Sequence, residues 1–323
     1  MTKNVGKKVK GAGSGVKAKP PSTSPVVSPL TPPTKKSSAV KKAKRSTSTK
    51  KGSTSPMAIS INSSHTPSEL QMTLINAEKL HLKGQLQEAW ALYQEILRQE
   101  PAHYAAIHGM GLIAAQMKSY PMAIDLFNNA IAVDKTNPRA YSNLANALAS
   151  EGKKTLALKN YDKAIKLDAG YVDAIKNRGL VRAELKQYKK ALVDFDRVIE
   201  LAPDYWRAHI YAANVLISMG KMNEALQAYD LGLAANPNSA ALCNNVGAIL
   251  CSMGRFQTAL PKLDRAIKIN PQYAEAFNNR AVALIGLQRQ KEALINYEQA
   301  LVIKPQYPDA MMGKAKLQAS MTA

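Results

Sequence analysis

The sequence predicts an all-α solenoid of stacked helix pairs behind a basic, structureless arm. Two observations carry that prediction. From residue 66 onward, small and aromatic side chains recur at one fixed interval, and within each interval apolar residues return every three or four positions, the period of a helix with one buried face. Before residue 66 there are fourteen Lys and Arg, no Asp or Glu, and no aromatic residue. The chain has 323 residues and a formal net charge of +21, so most of the excess charge sits in its first fifth.

Residues 1–65 form the first unit. Twenty-seven of them are Ser, Thr or Pro, and such a segment cannot bury enough apolar surface to offset the entropy of ordering it. The cluster Lys41, Lys42, Lys44 and Arg45 is its densest positive charge. It fits a solvated linker, an electrostatic arm for nucleic acid or another polyanion, or a nuclear-import address in a eukaryotic host. Order is expected from Thr66. Thr66 would cap, Pro67 would take the first helical position, and Glu69 would close a capping box.

The second unit, 66–323, repeats without insertion. Ala89, Ala123, Ala157, Ala191, Ala225, Ala259 and Ala293 are evenly spaced, each thirty-four positions after the last. Four positions later stand Tyr93, Phe127, Tyr161, Phe195, Tyr229, Leu263 and Tyr297. Twelve positions earlier stand Ala77, Gly111, Ala145, Gly179, Ala213, Gly247 and Ala281. Seven copies follow: 70–103, 104–137, 138–171, 172–205, 206–239, 240–273 and 274–307, then a capping helix at 308–321. Each copy reads as two helices. The small pair lets them approach closely, and the aromatic fills the groove beside them. Gly84, Gly152, Gly220 and Gly254 supply turns with positive φ, and Pro101, Pro203, Pro237, Pro271 and Pro305 end the second helix. One pair cannot cover its own apolar face, so neighbours must stack.

Three departures stand out. Pro261 lies inside a second helix and predicts a late start or a kink. Arg178, Arg182 and Arg280 replace apolar residues between helices, and their guanidinium groups are expected to reach the surface. Gly232 replaces an alanine, and together with Pro261 it makes 206–273 the expected loose joint, with faster hydrogen exchange than 138–205.

The period and the small, small, aromatic and proline pattern resemble the tetratricopeptide repeat family over about three-quarters of the chain. That resemblance implies a right-handed superhelix whose first helices line a concave groove for an extended peptide or a partner helix. The first helices carry a row of amides in the expected groove: Asn143, Asn146, Asn177, Asn214, Asn244, Asn245, Asn278 and Asn279. Tyr211 and Lys176 lie among them. An amide both donates and accepts, as a peptide backbone does, so the row can hold a chain regardless of its side chains. The same amides could instead tie helices together. The row is similar to the asparagine ladder of O-linked N-acetylglucosamine transferase, carried here by Asn143, Asn177, Asn245 and Asn279 and interrupted at Tyr211. A carboxylate clamp of the chaperone-binding kind fits poorly, because Tyr211 stands where an arginine is needed.

No catalytic, cofactor or metal constellation is evident. The five histidines show no ligand spacing, although His108 falls in the groove, and Cys243 and Cys251 are too far apart on one helix for a bridge. No apolar run is long enough to span a bilayer, so no transmembrane helix is expected, and two lone cysteines favour a reducing compartment, cytoplasmic or, in a eukaryote, nuclear. The reading is a non-enzymatic interaction scaffold. Its alternatives are a polyanion binder acting through the arm and a substrate-recruiting component of a glycosyltransferase-like system with catalysis on another chain.

Overall fold

The computed structural model describes residues 68–322, and the basic arm with its Lys41–Arg45 cluster lies outside them, as do Thr66 and Pro67. Fifteen helices and no strand occur among the described residues. They are α1 (Glu69–Leu82), α2 (Leu86–Gln99), α3 (Tyr104–Gln116), α4 (Tyr120–Val133), α5 (Pro138–Ser150), α6 (Lys154–Leu167), α7 (Val172–Glu184), α8 (Tyr188–Leu201), α9 (Arg207–Ser218), α10 (Met222–Ala235), α11 (Ala240–Ser252), α12 (Phe256–Ile269), α13 (Ala274–Gly286), α14 (Gln290–Ile303) and α15 (Pro308–Thr322). Odd-numbered helices are first in their repeat and even-numbered ones second. Each packs against its chain neighbours, and successive first helices also touch, giving a right-handed superhelical solenoid.

The helix start differs in detail from expectation. Ser68, not Thr66, caps α1. Its hydroxyl accepts from the Gln71 N–H, and the Gln71 side chain accepts from the Ser68 N–H, a capping box closed by Gln71 rather than Glu69. The turns show a clearer pattern. Gly84, Gly152, Gly220 and Gly254 all take φ between 72° and 87°, as their sequence role requires. The same position in the other three copies holds Lys118, Lys186 and Gln288, with φ near 60°. Stacking fixes the turn geometry whatever the residue, so these three side chains sit in the left-handed region at a cost.

Pro261 does not delay α12, which begins at Phe256 in register with the other second helices and runs through the proline. Pro261 is exposed, so the carbonyl it deprives of a partner faces water. Gly232 is also not a gap. A Cβ there would lie 3.0 Å from His209 Cβ and 3.2 Å from Leu242 Cδ2, so the neighbours have closed over it. The segment 206–273 lies within the largest apolar cluster, which runs from Ile210 to Leu317. The interruption falls instead in 172–205, where the clusters are small.

The arginines explain that interruption. Their guanidinium groups do not simply reach for solvent. Asp194 is 1% exposed and receives Arg178 at 2.6 Å and Arg182 at 2.8 Å, while Arg178 also reaches Asp162 of the preceding repeat at 2.7 Å. Arg280 repeats the arrangement with Asp264 at 2.6 Å and Asn296 at 3.1 Å, and Lys314 pairs with Glu298 at 2.9 Å. In each case an acid sixteen positions upstream, on the second helix of one repeat, grips a cation on the first helix of the next.

These features set the stability of the array at two places. Lys186→Gly removes a side chain from a left-handed position. It should stabilise the array by up to about 1 kcal/mol, the relief of strain less the added freedom of the unfolded chain; urea unfolding with no gain would contradict this. Asp194→Ala strands two arginines that are under one-fifth exposed and should cost about 3 kcal/mol, near the low end for a broken buried pair because Asp162 remains. Hydrogen exchange should accelerate first in α7 and α8, and an Arg178→Met, Arg182→Leu, Asp194→Leu triple variant should recover most of the loss.

Candidate functional site: the concave groove

The groove is built by the first helices, and what fills it is decided by a pairing between the two helices of each copy. One position of each first helix holds, in order, Glu78, Leu112, Asn146, Leu180, Asn214, Ala248 and Val282. Fifteen positions later stand Tyr93, Phe127, Tyr161, Phe195, Tyr229, Leu263 and Tyr297. Polar residues in the first row meet tyrosines, and leucines meet phenylalanines. The Tyr161 hydroxyl donates to Asn146 Oδ1 and the Tyr229 hydroxyl to Asn214 Oδ1, each at 2.6 Å. Burial raises the pKa of both phenols, so they remain donors at neutral pH.

The amide row is therefore already engaged. Asn177 Nδ2 donates to the same Asn146 oxygen at 2.9 Å, linking α7 to α5. Asn279 Nδ2 donates to Asn244 Oδ1 at 2.9 Å, linking α13 to α11. Asn143 Nδ2 donates to His108 Nε2 at 2.9 Å, linking α5 to α3. Asn244 is 0% exposed, and Asn245 and Asn278 are also buried, bonding weakly to their neighbours. Asn143, Asn146, Asn177, Asn214 and Asn279 remain partly exposed. Each amide has further donors and acceptors, so a bond between helices does not exhaust it. Tyr211 packs against Phe195 with ring centroids 5.5 Å apart, and Lys176 pairs with Asp173 at 2.7 Å beside the Tyr205 ring.

Cavities open along this face. One of about 760 Å³ spans the first three copies and is lined by Glu78, His81, Tyr104, His108, Gln116 and Arg139 among others. Gly109 stands there in place of an asparagine, and a Cβ would meet the Tyr93 ring at 2.5 Å, so bare backbone and an aromatic ring form the floor. A cavity of about 160 Å³ lies beside Leu180, Tyr211 and Asn214, and an apolar one of about 370 Å³ beside Val282, Tyr297 and Met312. Among the described residues no cluster of His, Cys, Asp and Glu could hold a metal. Burial pushes the pKa of the Cys251 thiol up to about 12, which disfavours the thiolate. No helix of the described residues is long and apolar enough to cross a membrane.

Family models described as tetratricopeptide repeat match residues 138–171, 182–244 and 274–307, and one described as TPR repeat matches 247–288. The chain is a tetratricopeptide repeat protein. Among curated proteins it is similar to the probable UDP-N-acetylglucosamine–peptide N-acetylglucosaminyltransferase SPINDLY of Arabidopsis thaliana, 28% identical over 113 residues. That match covers 35% of this chain and 12% of the relative, so the chain spans only a small part of that protein's length. Among solved structures, the C-terminal part of a TPR repeat-containing protein from Cytophaga hutchinsonii has a TM-score of 0.61 at 13% identity, covering 74% of this chain and 98% of that one. A tetratricopeptide repeat protein from Parabacteroides merdae has a TM-score of 0.58 at 18% identity, covering 77% and 98%. At these identities the likeness is one of fold.

The repeat positions place every predicted amide on a first helix, but the bonds between copies join residues 31 to 35 apart and are visible only once the helices are stacked. Of the residues around the large N-terminal cavity, the sequence placed His108 in the groove, but it singled out neither Gly109 nor Arg139. Asn279→Ala tests the engaged state of the row. It leaves the fully buried Asn244 oxygen without its donor and should cost about 1–2 kcal/mol, the loss of the bond partly offset by the better helix propensity of alanine. Unchanged urea stability of α11 to α13 would show that the bond contributes nothing.

Proposed function

We propose that the protein is a non-enzymatic interaction scaffold whose concave groove receives an extended peptide or a helix of a protein partner. The observation that carries this reading is the succession of cavities along one face, each lined by a first helix at the same repeat position. The second helices carry exposed charged side chains such as Lys159 and Lys163. Partly exposed Asn143, Asn146, Asn177, Asn214 and Asn279 retain hydrogen-bonding capacity at the groove wall, with Tyr211 and Lys176 between them. The buried Asn244 and Asn245 would support the wall, while Asn278 lines the cavity beside Val282. The arm would extend the reach of the scaffold, and its Lys41, Lys42, Lys44 and Arg45 offer a separate electrostatic contact to a polyanion.

A photo-crosslinking residue at Leu112 or Leu180 should capture a partner that one at the convex Lys159 does not. Equal capture from both faces, or from Lys159 alone, would move the binding surface off the groove.

A further inference from the structure

The cavity over the first three copies is asymmetric in charge. At one end lie Arg139, at the start of α5, and Tyr104 and His108 of α3. At the other lies Glu78 of α1, beside His81 and Gln116, which bond to each other at 3.3 Å. Among the described residues neither Arg139 nor Glu78 has an ion-pair partner. Asp134, the acid whose charge bears on Tyr104, is committed to the N–H and hydroxyl of Thr136. The Tyr104 hydroxyl is enclosed and has no hydrogen-bond partner, an expensive state for a buried donor.

His108 extends the donor-rich end. Asn143 donates to its Nε2, so the neutral ring carries its proton on Nδ1. Burial, with Arg139 nearby, drives its pKa down to about 4, which keeps the ring neutral at physiological pH. The ring stacks on Tyr104, with centroids 5.5 Å apart and planes 12° apart, so both are held in place. One end of the cavity thus offers a guanidinium, a phenol and an imidazole N–H. The other offers a carboxylate.

We propose that this cavity is an orienting subsite for a dipolar segment, taking an acidic side chain against Arg139 and Tyr104 and a basic side chain against Glu78. The inference rests on the groove being the binding face and goes further, because it fixes the direction in which a bound segment lies. A segment with the same two charges in reverse order would set like charges together at both ends, which discriminates more strongly than it attracts. The C-terminal cavity also carries an acid and a base, Asp309 and Lys316, so the direction set by Arg139 and Glu78 is that of a segment at the N-terminal end of the groove.

The test pans a phage library of random dodecapeptides at physiological salt against the full chain, and against an Arg139→Glu, Glu78→Arg double variant. Both side chains are exposed, so the exchange leaves the packing intact, and both proteins carry the same basic arm. Sequences enriched on the native protein should pair an acid with a base at a constant separation. Those enriched on the variant should keep the separation with the charges exchanged. A synthetic peptide of the native consensus should lose about tenfold in affinity on Arg139→Glu. The same charge order on both proteins, enrichment without a charge pair, or no enrichment overturns the inference. Ala105→Trp, which fills the cavity, separates the two levels of the argument. Clones that bind it undiminished lie outside the groove and sink both readings. Clones that it abolishes but the charge exchange does not affect leave the groove standing and this subsite refuted.

Discussion

Every repeat depends on how closely its two helices can approach, and one position sets that distance. It is occupied only by Ala77, Gly111, Ala145, Gly179, Ala213, Gly247 and Ala281, all buried. The residues alternate, and the side chain that packs nearby alternates with them. Where the first helix has glycine, Phe127, Phe195 or Leu263 occupies the space a Cβ would need, at 2.5–2.8 Å from it. Where it has alanine, that space is closed and a tyrosine stands instead. Tyr93 and Tyr297 lie over the next copy's Gly109 and Gly313, and Tyr161 and Tyr229 reach the groove amides. The packing unit is therefore a pair of copies, with complementary ways of filling the same crevice.

This constraint shapes the groove as well as the core. The hydroxyls of Tyr161 and Tyr229 donate to Asn146 and Asn214 of the first helix, and Glu78 holds the same position before Tyr93. A phenylalanine turned back on its own copy brings none, and leucine suffices. Polar and apolar positions then alternate along the wall through Glu78, Leu112, Asn146, Leu180, Asn214 and Ala248 before Val282 breaks the pattern. The chemistry presented to a ligand is thus partly a by-product of how the crevice behind it is filled.

Most of the fold was legible because it is local and periodic. Helix starts keep the repeat register to within a single position, and the four turn glycines announce themselves. Lys118, Lys186 and Gln288 did not, because nothing local favours positive φ in a lysine; only the register shows that they inherit a glycine's place. Pro261 and Gly232 misled for the opposite reason. Local propensity marks both as weak points, but solvent satisfies one and close neighbours fill the other. The amide row was visible as a row. Whether an amide faces a ligand or another helix depends on contacts between separate copies, which no local pattern encodes.

The ion pairs show how register can turn a local anomaly into a structural statement. An arginine between helices is puzzling alone. With Asp162 sixteen positions before Arg178, Asp264 before Arg280 and Glu298 before Lys314, it becomes a recurring clasp between successive copies. The clasp is not equally dry everywhere. Around Arg178 it ends on a buried carboxylate shared with Arg182, and around Arg280 on the neutral amide of Asn296. Buried charge contributes direction and register more reliably than net stability, because desolvation consumes much of the attraction. The fourth copy accordingly has the most specified geometry and the least continuous apolar core. It lies between the N-terminal cavity and the long apolar cluster beyond Ile210, and there the two ends of the groove are joined by small apolar clusters, Ala191, Phe195, Ala212 and Val215 in one and Ile175, Val198 and Ala208 in another, together with these ion pairs rather than by one shared core. A segment bound along the whole groove would bridge that joint, and its contacts on either side would add to those that hold the two halves in register.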